Sequence, residues 1–162
     1  MRWLRHLFDL RGAHGRFPAA TLDAIQHAIA ASEHGHLGEI VFAVEGSLSF
    51  GAVLAGRSAR ERAHDLFGRL RVWDTERNTG VLVYVLLADH AIEILADRGI
   101  AAKVGDDEWR AVCALMQARF AEGDHEGGAI AGVEAITAIL VRHVPSDGHP
   151  NPDELPDRPV LL

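Results

Sequence analysis

Apolar positions change period several times along the chain, and each change predicts an element. Leu22, Ile25 and Ile29 recur at helical spacing between Pro18 and Glu33, with proline where a first helical turn accepts it. The glycine-flanked run His34 to Gly38 ends that helix. Ile40 to Val44 and Val81 to Leu87 are unbroken apolar stretches, the pattern of strands covered on both faces. Between them, Ser58 to Arg71 lines up Ala59, Ala63, Leu66 and Leu70 on one helical stripe. Strand, helix and strand then form a crossover, which places the two strands parallel with a right-handed connection. A third strand, Ala91 to Ala96, follows a turn read as two residues, Asp89 and His90, so it is expected antiparallel and, with Glu93 pointing outward, at the sheet edge. Two helices complete the pattern. Asp106 to Ala121 carries Trp109, Val112, Cys113, Met116 and Phe120 on one stripe, and Asp124 to His143 carries Ile130, Val133, Ile136 and Leu140. Asp106 and Asp124 are expected as helix caps.

These elements predict a single α/β domain, a three-layer α/β/α sandwich on a small mixed sheet, spanning residues 18–144. Residues 1–17 precede it. From Pro145 the composition shifts: five of the six prolines fall in residues 145–162, which predicts an extended tail, and its apolar end, Val160 to Leu162, gives it reason to dock. A chain of 162 residues holds one well-filled core, and 48% hydrophobic with 24% charged residues is a globular balance. The net charge of −7 argues against a phosphate-backbone partner. Six of the fifteen arginines lie between Arg57 and Arg77, but interleaved acids make that stretch a mixed, solvated face. Cys113 is the only cysteine, so an internal disulfide and a cysteine-rich zinc site are excluded, and a core role is expected. Arg2, Arg5 and His6 interrupt any apolar run near the N-terminus, and Ala129 to Val141 is too short to cross a bilayer; a cytoplasmic location is the expectation.

Candidate chemistry concentrates in two acidic loops. Asp74, Glu76 and Asn78 precede the second strand, and Asp97 with Arg98 follows the antiparallel third, so both loops should meet at one sheet edge, beside Glu39. Carboxylate and amide oxygens with few competing nitrogens suit calcium or magnesium, so Asp74, Glu76, Asn78 and Asp97 are the expected metal ligands. Asp97, Arg98 and His90 are the catalytic candidates. Glu45, Asp89 and His90 should lie at the opposite edge, the carboxyl ends of the parallel strands. His34 and His36 have metal-like spacing, but their loop reads as solvated. No Gly-rich phosphate loop or nucleophile triad occurs, so no organic cofactor is expected.

Arg62-Ala63-His64-Asp65-Leu66-Phe67 on the crossover helix, Asn78-Thr79-Gly80-Val81-Leu82-Val83 opening a strand, and the segment from Phe120 to Gly128 between the last helices resemble the TPM domain family, over roughly residues 18–144. That family includes thylakoid-lumen phosphatase-like proteins and photosystem repair factors. Trp73-Asp74-Thr75-Glu76, Ala96-Asp97-Arg98-Gly99 and Glu154-Leu155-Pro156-Asp157 look like a short bacterial subgroup. The resemblance implies the α/β/α sandwich and two functional classes. One is a divalent-cation-binding accessory or protein-interaction module, with a LemA-type membrane protein as the implied partner. The other is a metal-assisted phosphatase acting on phosphate monoesters, in which Arg98 stabilises phosphoryl charge and an Asp or His90 protonates the leaving group.

Overall fold

The computed structural model describes residues 2–7 and 12–162; within the N-terminal segment 1–17, positions 1 and 8–11 lie outside the described residues. The helices are α1 (Arg2–Leu7), α2 (Gly12–Arg16), α3 (Ala19–Ser32), α4 (Phe50–Leu54), α5 (Ala59–Arg69), α6 (Arg98–Ala101), α7 (Asp106–Ala121) and α8 (His125–His143). The strands are β1 (Glu39–Glu45), β2 (Gly80–Leu86), β3 (Ala91–Ala96) and β4 (Val160–Leu161), in the spatial order β3–β2–β1–β4. β1 runs parallel to β2 and to β4, while β2 and β3 are antiparallel.

Alternation along the buried strands divides the core into two layers. Ile40, Phe42 and Val44 of β1, with Val81, Val83 and Val85 of β2, face α3, α7 and α8. Val41, Ala43, Leu82, Tyr84 and Leu86 face α4 and α5 on the other side. Both central strands are buried at all seven positions, so an unbroken apolar run was the correct signal of a two-sided cover. Each fully buried Leu or Ile contributes about 1.5–3 kcal/mol through removal from water.

Helix starts follow local chemistry. Ser58 accepts from the Glu61 N–H while the Glu61 carboxylate accepts from Ser58, a capping box that fixes α5. Asp124 caps α8 by accepting from the Gly127 N–H. Asp106 differs from expectation: Gly105 occupies the cap position and Asp106 is the first helical residue, where its charge favours the N-terminal dipole. The β2–β3 connection also differs. Leu86 pairs with Ala91, so residues 87–90 form a four-residue turn, closed by the His90 N–H donating to Leu87 O and by a left-handed His90 (φ 52°). Four short helices escaped the periodicity, α1, α2, α4 and α6, because each has only four to six residues.

The tail lies on the domain. Leu155 is 6% exposed within the α5-side core, Val160 and Leu161 pair with Ala43 and Val44, and the Leu162 N–H donates to Val44 O at 2.9 Å. Before reaching β1, the tail crosses the amino-terminal end of the sheet: Asn151 and Glu154 both contact Glu39 there.

Candidate metal centre

The two predicted acidic loops do meet. The Gly99 N–H donates to Asn78 O at 2.9 Å, and the Asp97 N–H donates to Gly80 O at 2.8 Å. A Cβ on Gly99 would stand 2.5 Å from Asn78 O, so only glycine lets the loops approach this closely. Thr75 Oγ1 accepts from the Thr79 N–H and closes the 75–79 turn, with Asn78 in the left-handed region (φ 56°).

Within that meeting point the predicted ligands are spread out. Asp74 is exposed and its carboxylate accepts from Arg71 Nη2 at 2.5 Å. Glu76 is exposed, and its backbone N–H donates to Glu154 Oε2 at 2.8 Å. Asp97 caps α6, accepting from the Arg98 N–H through Oδ1 at 2.7 Å, while its Oδ2 is buried without a hydrogen-bond partner. Arg98 is exposed beside it. His90 lies at the far end of β3, roughly 20 Å of strand away, so it cannot act on the same group as Asp97 and Arg98.

A tighter acidic group stands at the same end of the sheet. Glu33, Glu39 and Asp153 each offer an oxygen within 4.8 Å of the others. Glu33 closes the C-terminus of α3, where Oε1 accepts from the Ile40 N–H at 3.3 Å. Glu39 opens β1 and is 2% exposed, its oxygens accepting from Asn151 Nδ2 at 3.3 Å and the Glu154 N–H at 3.4 Å. Asp153 arrives on the tail. Glu33, His34, His149, Asn151, Asp153 and Asp157 surround a cavity of about 420 Å³. His34 is an exposed member of that lining, with Nδ1 3.0 Å from Ala30 O.

Electrostatics set this group apart. Among the described residues, no Lys or Arg pairs with Glu33, Glu39, Asp153 or Asp157. Burial, reinforced by the charges of Glu39, Asp157 and Asp153, pushes the Glu33 carboxyl up to about 8. Burial also pushes Glu39 up to about 7, with Asp153 and Glu154 adding to the rise and the backbone N–H groups of Glu154 and Leu155 opposing it. Asp157 is raised as well, by burial and then by Asp153, and its Oδ1 is a second buried oxygen without a partner. The donor set is oxygen-rich and lacks compensating cations, which fits a hard divalent ion.

The sequence pointed to Glu39 but missed Glu33, Asp153 and Asp157. The signal available was the density of acids in the tail, Asp147, Asp153, Glu154 and Asp157, which a solvated extension would not need to fold back. His36 is a correction of another kind. It is fully buried, not solvated, with Nδ1 accepting from the Gly38 N–H at 3.1 Å and burial lowering its pKa. Cys113 is half-buried on α7 and packs against the core, its thiol pushed up to about 11 chiefly by burial.

The carboxyl end of the parallel strands is occupied by closed pairs. Glu45 accepts from Arg62 Nε at 2.9 Å, Arg62 Nη2 at 3.0 Å and Tyr84 O–H at 2.6 Å. Asp89 accepts from Arg2 Nη2 at 2.7 Å and is 3.1 Å from His6 Nε2.

The TPM domain profile matches residues 13–139. Among solved structures, the chain is similar to the BA42 protein of the psychrophilic bacterium Bizionia argentinensis, with 29% identity, a TM-score of 0.77 and coverage of 89% of this chain and 94% of that one. It is also similar to the N-terminal domain of a protein from P. gingivalis, with 18% identity, a TM-score of 0.66 and 85% of each chain covered; that likeness concerns the fold. No curated protein matches the chain.

Proposed function

The chain belongs to the TPM domain family, and from that premise we propose that it is a divalent-cation-binding accessory module whose ion fastens the tail to the sheet. The observation that carries this reading is the convergence of Glu33, Glu39 and Asp153 within 4.8 Å, with no Lys or Arg paired to any of them among the described residues. The raised pKa values of Glu33 and Glu39 mean that protons hold the place of missing positive charge. Calcium or magnesium would supply that charge and accept carboxylate oxygens from α3, β1 and the tail together. Asn151 and Asp157 border the same cavity as further oxygen donors. Asp97, whose buried Oδ2 lacks a partner, marks a neighbouring position on the same end of the sheet.

In this reading the ion orders the tail and the 74–79 loop, which Glu76 and Arg77 already tie to Glu154 and Asp147. The ordered surface then recognises a protein partner, for which a LemA-type membrane protein is the proposal. No described helix is long and apolar enough to cross a membrane, and a cytoplasmic site of action belongs to the same proposal. A second reading, a metal-assisted phosphatase, is favoured by the unpaired Asp97 Oδ2 beside Arg98.

Thermal melts with EDTA and with millimolar calcium or magnesium test the primary reading, since an ion that binds the folded state raises its stability. Glu39→Gln and Asp153→Asn should each remove the metal-dependent rise. If Asp74→Asn and Asp97→Asn remove it instead, the ion sits in the other loop pair. Metal-dependent turnover of p-nitrophenyl phosphate that vanishes in Arg98→Ala would replace the accessory role with the phosphatase.

A further inference from the structure

We propose that the open edge of β3 is a docking site for an extended, uncharged polypeptide segment, which joins the sheet as an additional strand. Two hydrogen bonds establish which backbone groups are open. The Asp97 N–H donates inward to Gly80 O, and Arg60 Nη1 donates from outside to Ile94 O at 3.3 Å. In an antiparallel ladder these directions alternate, so the N–H and C=O groups of Ile92, Ile94 and Ala96 face away from β2. Among the described residues, nothing accepts from those three N–H groups. Yet Ile92 and Ile94 are only 6% and 4% exposed, so these donors line a sheltered groove where leaving them unpaired is costly.

The groove measures about 620 Å³. One wall is α5, with Arg60, His64 and Phe67; the other is α7, with Trp109, Cys113 and Gln117. Both walls reach toward the edge as an added strand would. Arg60 donates to Ile94 O, and Gln117 Nε2 donates to His90 O at 3.4 Å, so two outward carbonyls four residues apart receive side-chain donors. The N–H groups between them have no such substitute, and a polypeptide backbone is the ligand that brings acceptors at the matching two-residue repeat.

Charge selects the kind of segment. The groove carries Arg60 and Arg110 against Glu93 and Asp106, with Arg60 on Glu93 at 3.2 Å and Arg110 on the nearby Asp107. The Cys113 thiol, raised to about 11 by burial and then by Glu93, stays neutral. Such a balanced lining on a chain of net charge −7 matches an uncharged segment with apolar side chains for Trp109 and Phe67. The overhang of α5 and α7 suits a bare strand rather than a second folded copy, whose own flanking helices would collide. The sheet accepts a bare strand at its opposite edge already, where β4 of the tail adds to β1. This inference is independent of the metal centre, which lies at the end of the sheet rather than along its edge.

The test is titration of the full-length, isotope-labelled chain with a short capped peptide alternating valine and threonine, followed by amide NMR. The expected result is saturable shifts at Ile92, Ile94 and Ala96 with slowed exchange of their N–H groups. N-methylating alternate peptide residues should abolish binding in one phase and spare it in the other. Ala96→Pro removes one outward donor but leaves the inward ladder to β2, and should weaken binding at least fivefold; if that variant does not fold, the two N-methyl phases decide alone. Absence of shifts at millimolar peptide, equal loss in both phases, shifts centred on exposed Phe50 and Leu54, or pairing of two copies through β3 would each overturn the proposal.

Discussion

The two ends of the parallel strands hold similar acids in opposite electrostatic states. At the carboxyl end, Glu45 is locked by Arg62 and Tyr84, and Asp89 by Arg2 and His6. At the amino end, Glu33, Glu39, Asp153 and Asp157 crowd together with no basic partner among the described residues. Residue type alone therefore does not mark a ligand site. A carboxylate whose oxygens are already filled is part of the scaffold, whereas a buried group lacking positive charge stores an affinity for protons or metal.

Breaking the compensated end should cost the most. Arg62→Met would leave Glu45, 7% exposed, without its cation, and the stability loss should be about 3 kcal/mol by denaturant unfolding. If the loss is below a few tenths of that value, Glu45 is not held by Arg62 in the way described. Next in size is the tail anchor. Leu155→Ala empties a site that is 6% exposed and should cost about 2–3 kcal/mol, while releasing Asn151 and Glu154 from Glu39. Unchanged melting in this variant, or on deletion of residues 146–162, would mean that the tail contributes no packing.

At the uncompensated end the sign reverses. Glu39→Gln removes a buried like charge and should raise metal-free stability by about 1 kcal/mol near pH 9, with little gain near pH 5, where the native carboxyl is protonated. A loss at both pH values would make Glu39 a purely structural acceptor. The same contrast predicts opposed pH slopes. Glu33 and Glu39 have folded pKa values near 8 and 7, above the ordinary 4.5, so their contribution is fully present below that ordinary value and is lost as pH rises through 7 and 8. For Asp89, burial pushes the pKa up, but hydrogen bonds from Arg2 and His6 and their charges outweigh it and leave the pKa low. Its contribution is present above the ordinary 3.8 and is lost as pH falls through the depressed value. Melting temperatures across pH 3–9 should therefore decline at both extremes, with the alkaline decline absent in the Glu33→Gln, Glu39→Gln double variant.

The central fold was legible because its elements are long and periodic. The buried runs of β1 and β2 and the stripes of α3, α5, α7 and α8 each announce what they pack against. The meeting of the Asn78 and Gly99 loops followed from strand direction alone. Reading the 87–90 turn as two residues failed because Leu87 and Ala88 are apolar and buried, so they resemble strand while lying outside the ladder. The acidic group was half legible: Glu39 is local to a strand, but Asp153 reaches it from more than a hundred residues away, through a tail whose course depends on Leu155 and β4 finding their places. No local period encodes that contact.

Calorimetric titration of the metal-free chain with calcium and with magnesium near pH 8 shows whether the acidic group at the amino end of the sheet holds an ion. The expected result is a saturable site for one ion, proton release on binding chiefly as Glu33 gives up its proton, and loss of both signals in the Glu33→Gln, Glu39→Gln double variant. A flat titration, together with a melting temperature indifferent to millimolar metal, would contradict it.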